Sequence, residues 1–187
     1  MTLRNKPTVI AVIGTKKSGK TSLIAFLMSS LTEKGLKIGS VKHVPKANFT
    51  LDKPNTDTWR YVKSGAKVAV CVSRDELATI RRTKTVDRSL EEILNLLRGD
   101  EVDLVFLEGF RYLVAGRRDV PKILTAKNLE DLKDALGKIT PPVLAAVGRF
   151  KGQTVFRGIP LLDLEREGGK LLLMVEGCLR RSPSRES

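Results

Sequence analysis

Thr8-Val9-Ile10-Ala11-Val12-Ile13-Gly14-Thr15-Lys16-Lys17-Ser18-Gly19-Lys20-Thr21 decides the fold. The run Thr8 to Ile13 reads as a buried strand, and the segment from Lys20 to Lys34 reads as a helix. Between them Gly14 to Thr21 match the pattern G-x-x-x-x-G-K-[ST] in full. The context matters more than the pattern. A glycine-rich loop between strand and helix aims its backbone N–H groups, with those of the first helical turn, at one anionic spot. Gly14 and Gly19 permit the tight turn and the close approach of backbone to phosphate oxygens. Lys20 is expected to reach the terminal phosphates and the Thr21 hydroxyl to ligate Mg²⁺, with Thr15, Lys16, Lys17, Ser18 and Ser22 completing the cradle.

Working outward, the first helix carries Leu23, Ile24, Leu27, Met28 and Leu31 on one face, and Gly35 stops it. Lys37 to His43 reads as the next strand. Residues 44–58 lack a clean period and carry two prolines, so they read as a loop. A short helix over Thr58 to Lys63, strands over Ala66 to Val72 and Leu77 to Arg81, and a helix opened by the capping pattern Ser89-Leu90-Glu91-Glu92 follow. Val102 to Leu107 is nearly continuous in apolar character, as a central parallel strand would be. Lys122 to Thr125 and Val143 to Val147 are further strands. Asn128 caps a short helix through Leu136, and a last helix lies around Leu171 to Leu179. Strands alternating with helices predict a three-layer α/β fold, a mostly parallel central sheet with helices on both faces, of the P-loop NTPase type. One nucleotide-binding domain is expected over 1–179, and a disordered basic tail over 180–187.

The chain has 187 residues, with 34 Lys and Arg against 21 Asp and Glu, a net charge of +13. The basic residues are spread along its whole length. That suits polyanionic small molecules, or a surface rich in charge, better than a nucleic-acid platform, because aromatic residues are few and do not alternate with basic ones. No stretch has the length and apolarity of a membrane span, and no export leader is read, so a cytoplasmic protein is expected. Cys71, in an apolar run, and Cys178 are the two cysteines, which argues against a disulfide framework.

In a parallel sheet ligands bind at the carboxyl ends of the strands, a rule that sorts the polar residues. Glu108 follows Leu104 to Leu107 and is placed to hold Mg²⁺ or to orient a nucleophile. Asp103 begins that strand, about 16 Å from the phosphates at ~3.3 Å per residue, and is rejected. Lys42 and His43 end the second strand at the same edge. Asp52 and Asp57 sit in the loop after it, where nucleotide hydrolases often order a segment around Mg²⁺ and the γ-phosphate. Arg111, Arg117, Arg118 and Lys122 form a basic group that could close over a second anionic ligand or stay solvated. Thr125-Ala126-Lys127-Asn128 is a loose echo of a guanine-reading motif, which a strand end and a helix cap explain equally well. The residues alone do not choose between GTP and ATP.

The series Gly14–Thr21, Val41-Lys42-His43, Leu51-Asp52-Lys53-Pro54 with Asp57, Ser64-Gly65-Ala66 and Leu107-Glu108-Gly109-Phe110 resembles the MobB family, molybdopterin-guanine dinucleotide biosynthesis adaptor proteins, over roughly residues 8–125. The resemblance implies a Mg²⁺-dependent GTP-binding homodimer with weak GTPase activity. Such a protein assists a MobA-type nucleotidyltransferase in attaching GMP to molybdopterin, which is raised as a further ligand. It also implies that Lys20, Asp52 and Glu108 take part in catalysis, that Thr21, Asp52 and Glu108 hold the metal, and that Lys42 and His43 line the site. The chain departs from the family after the Lys-His pair, where Val44-Pro45-Lys46-Ala47 stands in place of further histidines. The alternative is a P-loop small-molecule kinase passing a γ-phosphate to a metabolite, with residues 111–122 as an arginine-bearing lid. A metal-delivery GTPase would need clustered Cys or His, which the sequence does not offer.

Overall fold

A computed structural model describes residues 6–83 and 88–180, with Arg180 described by its backbone alone. The described residues form two compact units, one drawn from Met1–His43 and Leu90–Ser187, the other from Val44–Ser89.

The larger unit begins with β1 (Thr8–Gly14), α1 (Lys20–Thr32) and β2 (Ile38–Lys42). It resumes with α3 (Leu90–Leu94), a single 3₁₀ turn (Asn95–Leu97), β5 (Leu104–Glu108) and α4 (Arg111–Val114). Then come β6 (Lys122–Thr125), α5 (Leu129–Leu136), β7 (Val143–Val147), β8 (Val155–Phe156), β9 (Ile159–Leu162) and α6 (Leu164–Arg180). Seven strands make one sheet in the order β2-β5-β1-β6-β7-β9-β8, parallel except for β8 against β9. The three-layer α/β expectation holds. α1 and α6 cover one face, packing Leu23, Leu27, Leu171 and Val175 against Ile10, Val12 and Phe106. α3, α4 and α5 cover the other, packing Ile93, Val114 and Leu132 against Ala11, Val105 and Leu124. Because β5 is covered on both faces, Leu104 to Leu107 are all fully buried, which explains their unbroken apolar run.

Helix ends follow local chemistry. Gly35 takes φ +83° after α1, and Leu36 N–H reaches back to Leu31 O at 3.2 Å, closing the last turn. Asn128 accepts from Asp131 N–H at 2.9 Å and starts α5 as read from the sequence. α6 is longer than expected, since Gly168-Gly169 argue locally against a helix. Packing overrides that preference: a Cβ on Gly168 would lie 2.6 Å from the tip of the Phe26 ring of α1, so glycine lets the two helices cross closely without displacing that ring. β8, β9 and α4 are too short to leave a period in the sequence.

The smaller unit contains α2 (Asp57–Lys63) and the strands β3 (Val68–Val72) and β4 (Leu77–Arg81). Here the expectation that these strands belong to a mostly parallel sheet is corrected. β3 and β4 pair only with each other, antiparallel. The connection Ser73–Glu76 is far too short for a parallel crossover. It closes instead as a turn, with Ser73 N–H bonded to Glu76 O at 2.8 Å. Cys71, in the apolar run of β3, is consequently exposed, as are Val70, Val72 and Leu77. The basic tail expected from residue 180 lies, beyond Arg180, outside the described residues.

Truncating the largest fully buried side chain of the sheet, Phe106→Ala, is expected to destabilise the larger unit by about 3–5 kcal/mol. Chemical denaturation measures this; a loss below about 1 kcal/mol would show that Phe106 does not anchor the core.

Candidate functional site

The register of the parallel strands assembles the site. Val12 pairs with Glu108 and Gly14 with Thr125, so β1, β5 and β6 end side by side. The chain leaving β1 must turn between these neighbours. A Cβ on Gly14 would lie 2.1 Å from Thr125 Oγ1 and 2.6 Å from Ser18 Oγ, so only glycine fits. Lys17 (φ +62°) and Gly19 (φ +92°) both adopt the left-handed conformation, which folds the loop back toward the helix. Ser18 Oγ bonds Thr15 O at 2.8 Å and shares a hydrogen bond with Thr125 Oγ1 at 2.6 Å. Thr15 Oγ1 donates to Asp131 of α5 at 3.0 Å, and Asp131 also accepts from Lys127 N–H at 3.1 Å. The loop is thus held from three sides before any ligand is considered.

No side chain caps α1: its N-cap is Gly19. The first-turn N–H groups of Lys20, Thr21 and Ser22 therefore have no protein side chain satisfying them there, and they carry the positive end of the helix dipole. Lys20 folds its ammonium over the loop, donating to Gly14 O at 2.9 Å and Thr15 O at 2.6 Å. Burial pulls its pKa below the ordinary lysine value, with Lys42 and Lys127 adding to the fall and Glu108 and Asp131 opposing it. An anion placed against the loop would offset that desolvation.

Glu108, at the end of β5, joins the loop to the second strand. Its carboxylate accepts from Thr21 Oγ1 at 3.2 and 3.3 Å and pairs with Lys42 Nζ at 3.1 Å. Lys20, Thr21, Lys42 and Glu108 are therefore brought together as expected. Thr15, Lys16, Lys17, Ser18 and Ser22 lie in the loop and first turn, the two lysines exposed. The oxygens of Thr21 and Glu108 are a hard donor pair of the kind that suits Mg²⁺. Among the described residues no group of three or more His, Cys, Asp or Glu is arranged to hold a metal ion.

His43 stands at the same edge but is engaged otherwise. Its ring packs 5.4 Å from Phe110 and 5.3 Å from Tyr112, and its backbone N–H donates to the Glu108 carbonyl at 2.9 Å. Asp103 lies at the opposite end of β5, where its carboxylate accepts from Lys37 N–H at 2.9 Å, which agrees with its rejection. Asp52 belongs to the smaller unit. One of its oxygens accepts from Thr56 at 2.8 Å and Thr58 at 3.1 Å, and the other is buried with no partner. Asp57 opens α2, beside its Thr56 cap.

The basic group is corrected in part. Arg117 pairs with Asp119 at 2.6 Å and Glu91 at 2.9 Å. These two carboxylates push its pKa up, and Arg117 in turn holds both of theirs down. Lys122 is fully buried in β6, its ammonium bonded to the carbonyls of Arg117 and Val120. Neither cation is left for a lid over a second anion. Thr125 and Asp131 were not among the expected site residues. Thr125 ends a parallel strand, so the carboxyl-edge rule would have found it; Asp131 is indistinguishable in sequence from any first-turn acid.

Residues 9–147 match the family model for molybdopterin guanine dinucleotide synthesis protein B. A Methanocaldococcus jannaschii protein named for a molybdopterin-guanine dinucleotide biosynthesis adapter is 38% identical over 120 residues, 64% of this chain and 47% of that one. The chain thus spans about half the length of that relative. A Haemophilus influenzae adapter protein of the same name is 26% identical over 79% of this chain and 78% of its own. The crystal structure of Bacillus subtilis MobB superposes with a TM-score of 0.73 at 24% identity, covering 91% of this chain and 97% of that one, a likeness of fold. With the family model covering most of its length and the fold agreeing, the chain belongs to the MobB family.

Proposed function

We propose that this chain binds Mg²⁺–GTP at the loop Gly14–Thr21, hydrolyses it slowly, and serves as an adaptor in attaching GMP to molybdopterin during molybdenum cofactor biosynthesis. The observation that carries the nucleotide reading is the meeting of an uncapped helix start, the Lys20 ammonium and the Thr21–Glu108 oxygen pair at one loop. The cofactor role comes from the names of the relatives. Thr21 and Glu108 would hold the metal, which when bound neutralises phosphate charge. Lys20 would neutralise charge developing on the terminal phosphates as water attacks the γ-phosphorus in line, releasing phosphate and GDP. Both carboxylate oxygens of Glu108 are already engaged by Thr21 and Lys42, so the site offers little general-base help and turnover is slow.

The adaptor would act with a MobA-type transferase. A homodimer is supported by the exposed Val68, Val70, Val72 and Leu77 of the β3–β4 hairpin, an apolar face that a second chain would cover. Cys71 and Cys178 form no disulfide, which suits a reducing cytoplasm. Among the described residues no helix is long and apolar enough to cross a membrane.

Titration with Mg²⁺–GTP and Mg²⁺–ATP should give tighter GTP binding; a preference for ATP would overturn the guanine assignment. Lys20→Ala should weaken nucleotide binding by roughly a hundred-fold or more with its thermal melt preserved. Glu108→Gln should lower Mg²⁺-dependent phosphate release by about ten-fold or more while GTP affinity changes less. Unchanged turnover would remove Glu108 from the mechanism.

A further inference from the structure

Parallel strands bring all their carboxyl ends to one edge, and the phosphate loop occupies that edge only at β1. Past β6 the chain leaves β7 at Gly148, and one strand further it leaves β9 at Asp163. With neighbouring strands about 4.8 Å apart, these exits lie roughly 10 and 14 Å along the edge from the loop. A cavity of about 540 Å³ opens between them, its wall including Arg149, Phe150, Thr154, Leu162, Asp163 and Glu165. Its floor is pressed toward the loop: a Cβ on Gly148 would lie 2.1 Å from Ala126 O. The residue before Ala126 is Thr125, which bonds Ser18 of the loop. The same edge gives a nucleotide with its phosphates against Gly14–Thr21 room to extend its ribose and base toward the exits of β7 and β9.

The three acids of the cavity differ. Asp163 accepts from Glu165 N–H at 2.9 Å and Arg166 N–H at 3.3 Å, and Glu167 accepts from Asp163 N–H at 3.2 Å and pairs with Lys170 at 2.8 Å. Both are taken up in starting α6. Glu165 makes no side-chain bond among the described residues. Guanine presents two adjacent donors, N1–H and the N2 amino group, which one carboxylate accepts together. Its O6 and N7 are acceptors that a guanidinium fills. Adenine lacks the paired donors. Glu165 and Arg149, both solvent-exposed on the wall of this open cavity, carry groups complementary to those donors and acceptors.

We infer that this cavity seats the base of the bound nucleotide and that Glu165 selects guanine. The inference rests on the nucleotide reading above and extends it from the phosphates to the base. Thr125-Ala126-Lys127-Asn128 then serves the loop and α5, and base recognition falls to the segments after β7 and β9.

The test is calorimetric titration of the full chain with the Mg²⁺ complexes of tripolyphosphate, GTP, ATP and XTP. Wild type is expected to bind GTP more tightly than tripolyphosphate or ATP. Glu165→Gln should lose roughly ten- to hundred-fold in GTP affinity and gain for XTP, whose C2 carbonyl accepts from the new amide. Its tripolyphosphate affinity and thermal melt should be unchanged. Thr154→Trp, which narrows the cavity without touching the loop, should weaken GTP and spare tripolyphosphate. Wild-type GTP affinity in both variants, or an equal loss for tripolyphosphate, overturns the inference. So does wild type binding tripolyphosphate as tightly as GTP, with the phosphate site left standing. If wild type binds neither ligand, the nucleotide reading itself falls.

Discussion

Everything at the site depends on the parallel registration of β5, β1 and β6 inside a core covered on both faces. Ile10, Val12, Phe106 and Ile123 face α1 and α6, while Ala11, Val105, Leu107 and Leu124 face the opposite helices. A slip of one residue would turn each apolar side chain to the wrong layer, so the register is fixed by burial. Once it is fixed, Glu108, Gly14 and Thr125 end at one line. The lack of room at Gly14 and the reach of Glu108 to Thr21 are consequences of that alignment.

Electrostatics at that line come from contrast between helix starts. α2, α5 and α6 begin with Thr56, Asn128 and Asp163, whose side-chain oxygens satisfy first-turn N–H groups. α1 begins at Gly19 with no such oxygen. The four-residue α4 also lacks a side-chain cap, but the uncapped start of α1 lies at the glycine loop, where Lys20 and Lys42 add two positive charges and Glu108 and Asp131 balance them. A net charge of +13 says little about this arrangement, because most of the basic residues among those described are exposed on the surface. Arg117, paired within the fold, and Lys122, buried under its own turn, illustrate how a basic cluster in sequence can be structural.

The elements that were legible are those whose signal is local. Leu104 to Leu107 announced a central strand, Gly35 a helix end and Asn128 a helix start, because periodicity and capping act within one turn or one strand. That the glycine loop, Glu108 and Lys42 meet at one edge was legible by combining a motif with the carboxyl-edge rule. α6 was read short because Gly168 answers to Phe26, more than a hundred residues earlier in the chain, and not to its own neighbours. β3 and β4 were read as strands but not as a separate hairpin, since strand propensity does not specify a partner.

The sequence by itself determined the strand–loop–helix unit, the alternation that makes the sheet parallel, and which polar groups stand at the carboxyl ends of β1, β2 and β5. These depend on spacing and residue type over a few positions. Tertiary structure alone decided that Thr125 and Asp131 brace the loop, that Lys122 is buried, and that the segments after β7 and β9 enclose a cavity at the same edge. The reason is physical: those relations are set by which strands lie side by side. Strand order in a parallel sheet is chosen by packing between residues far apart in the chain.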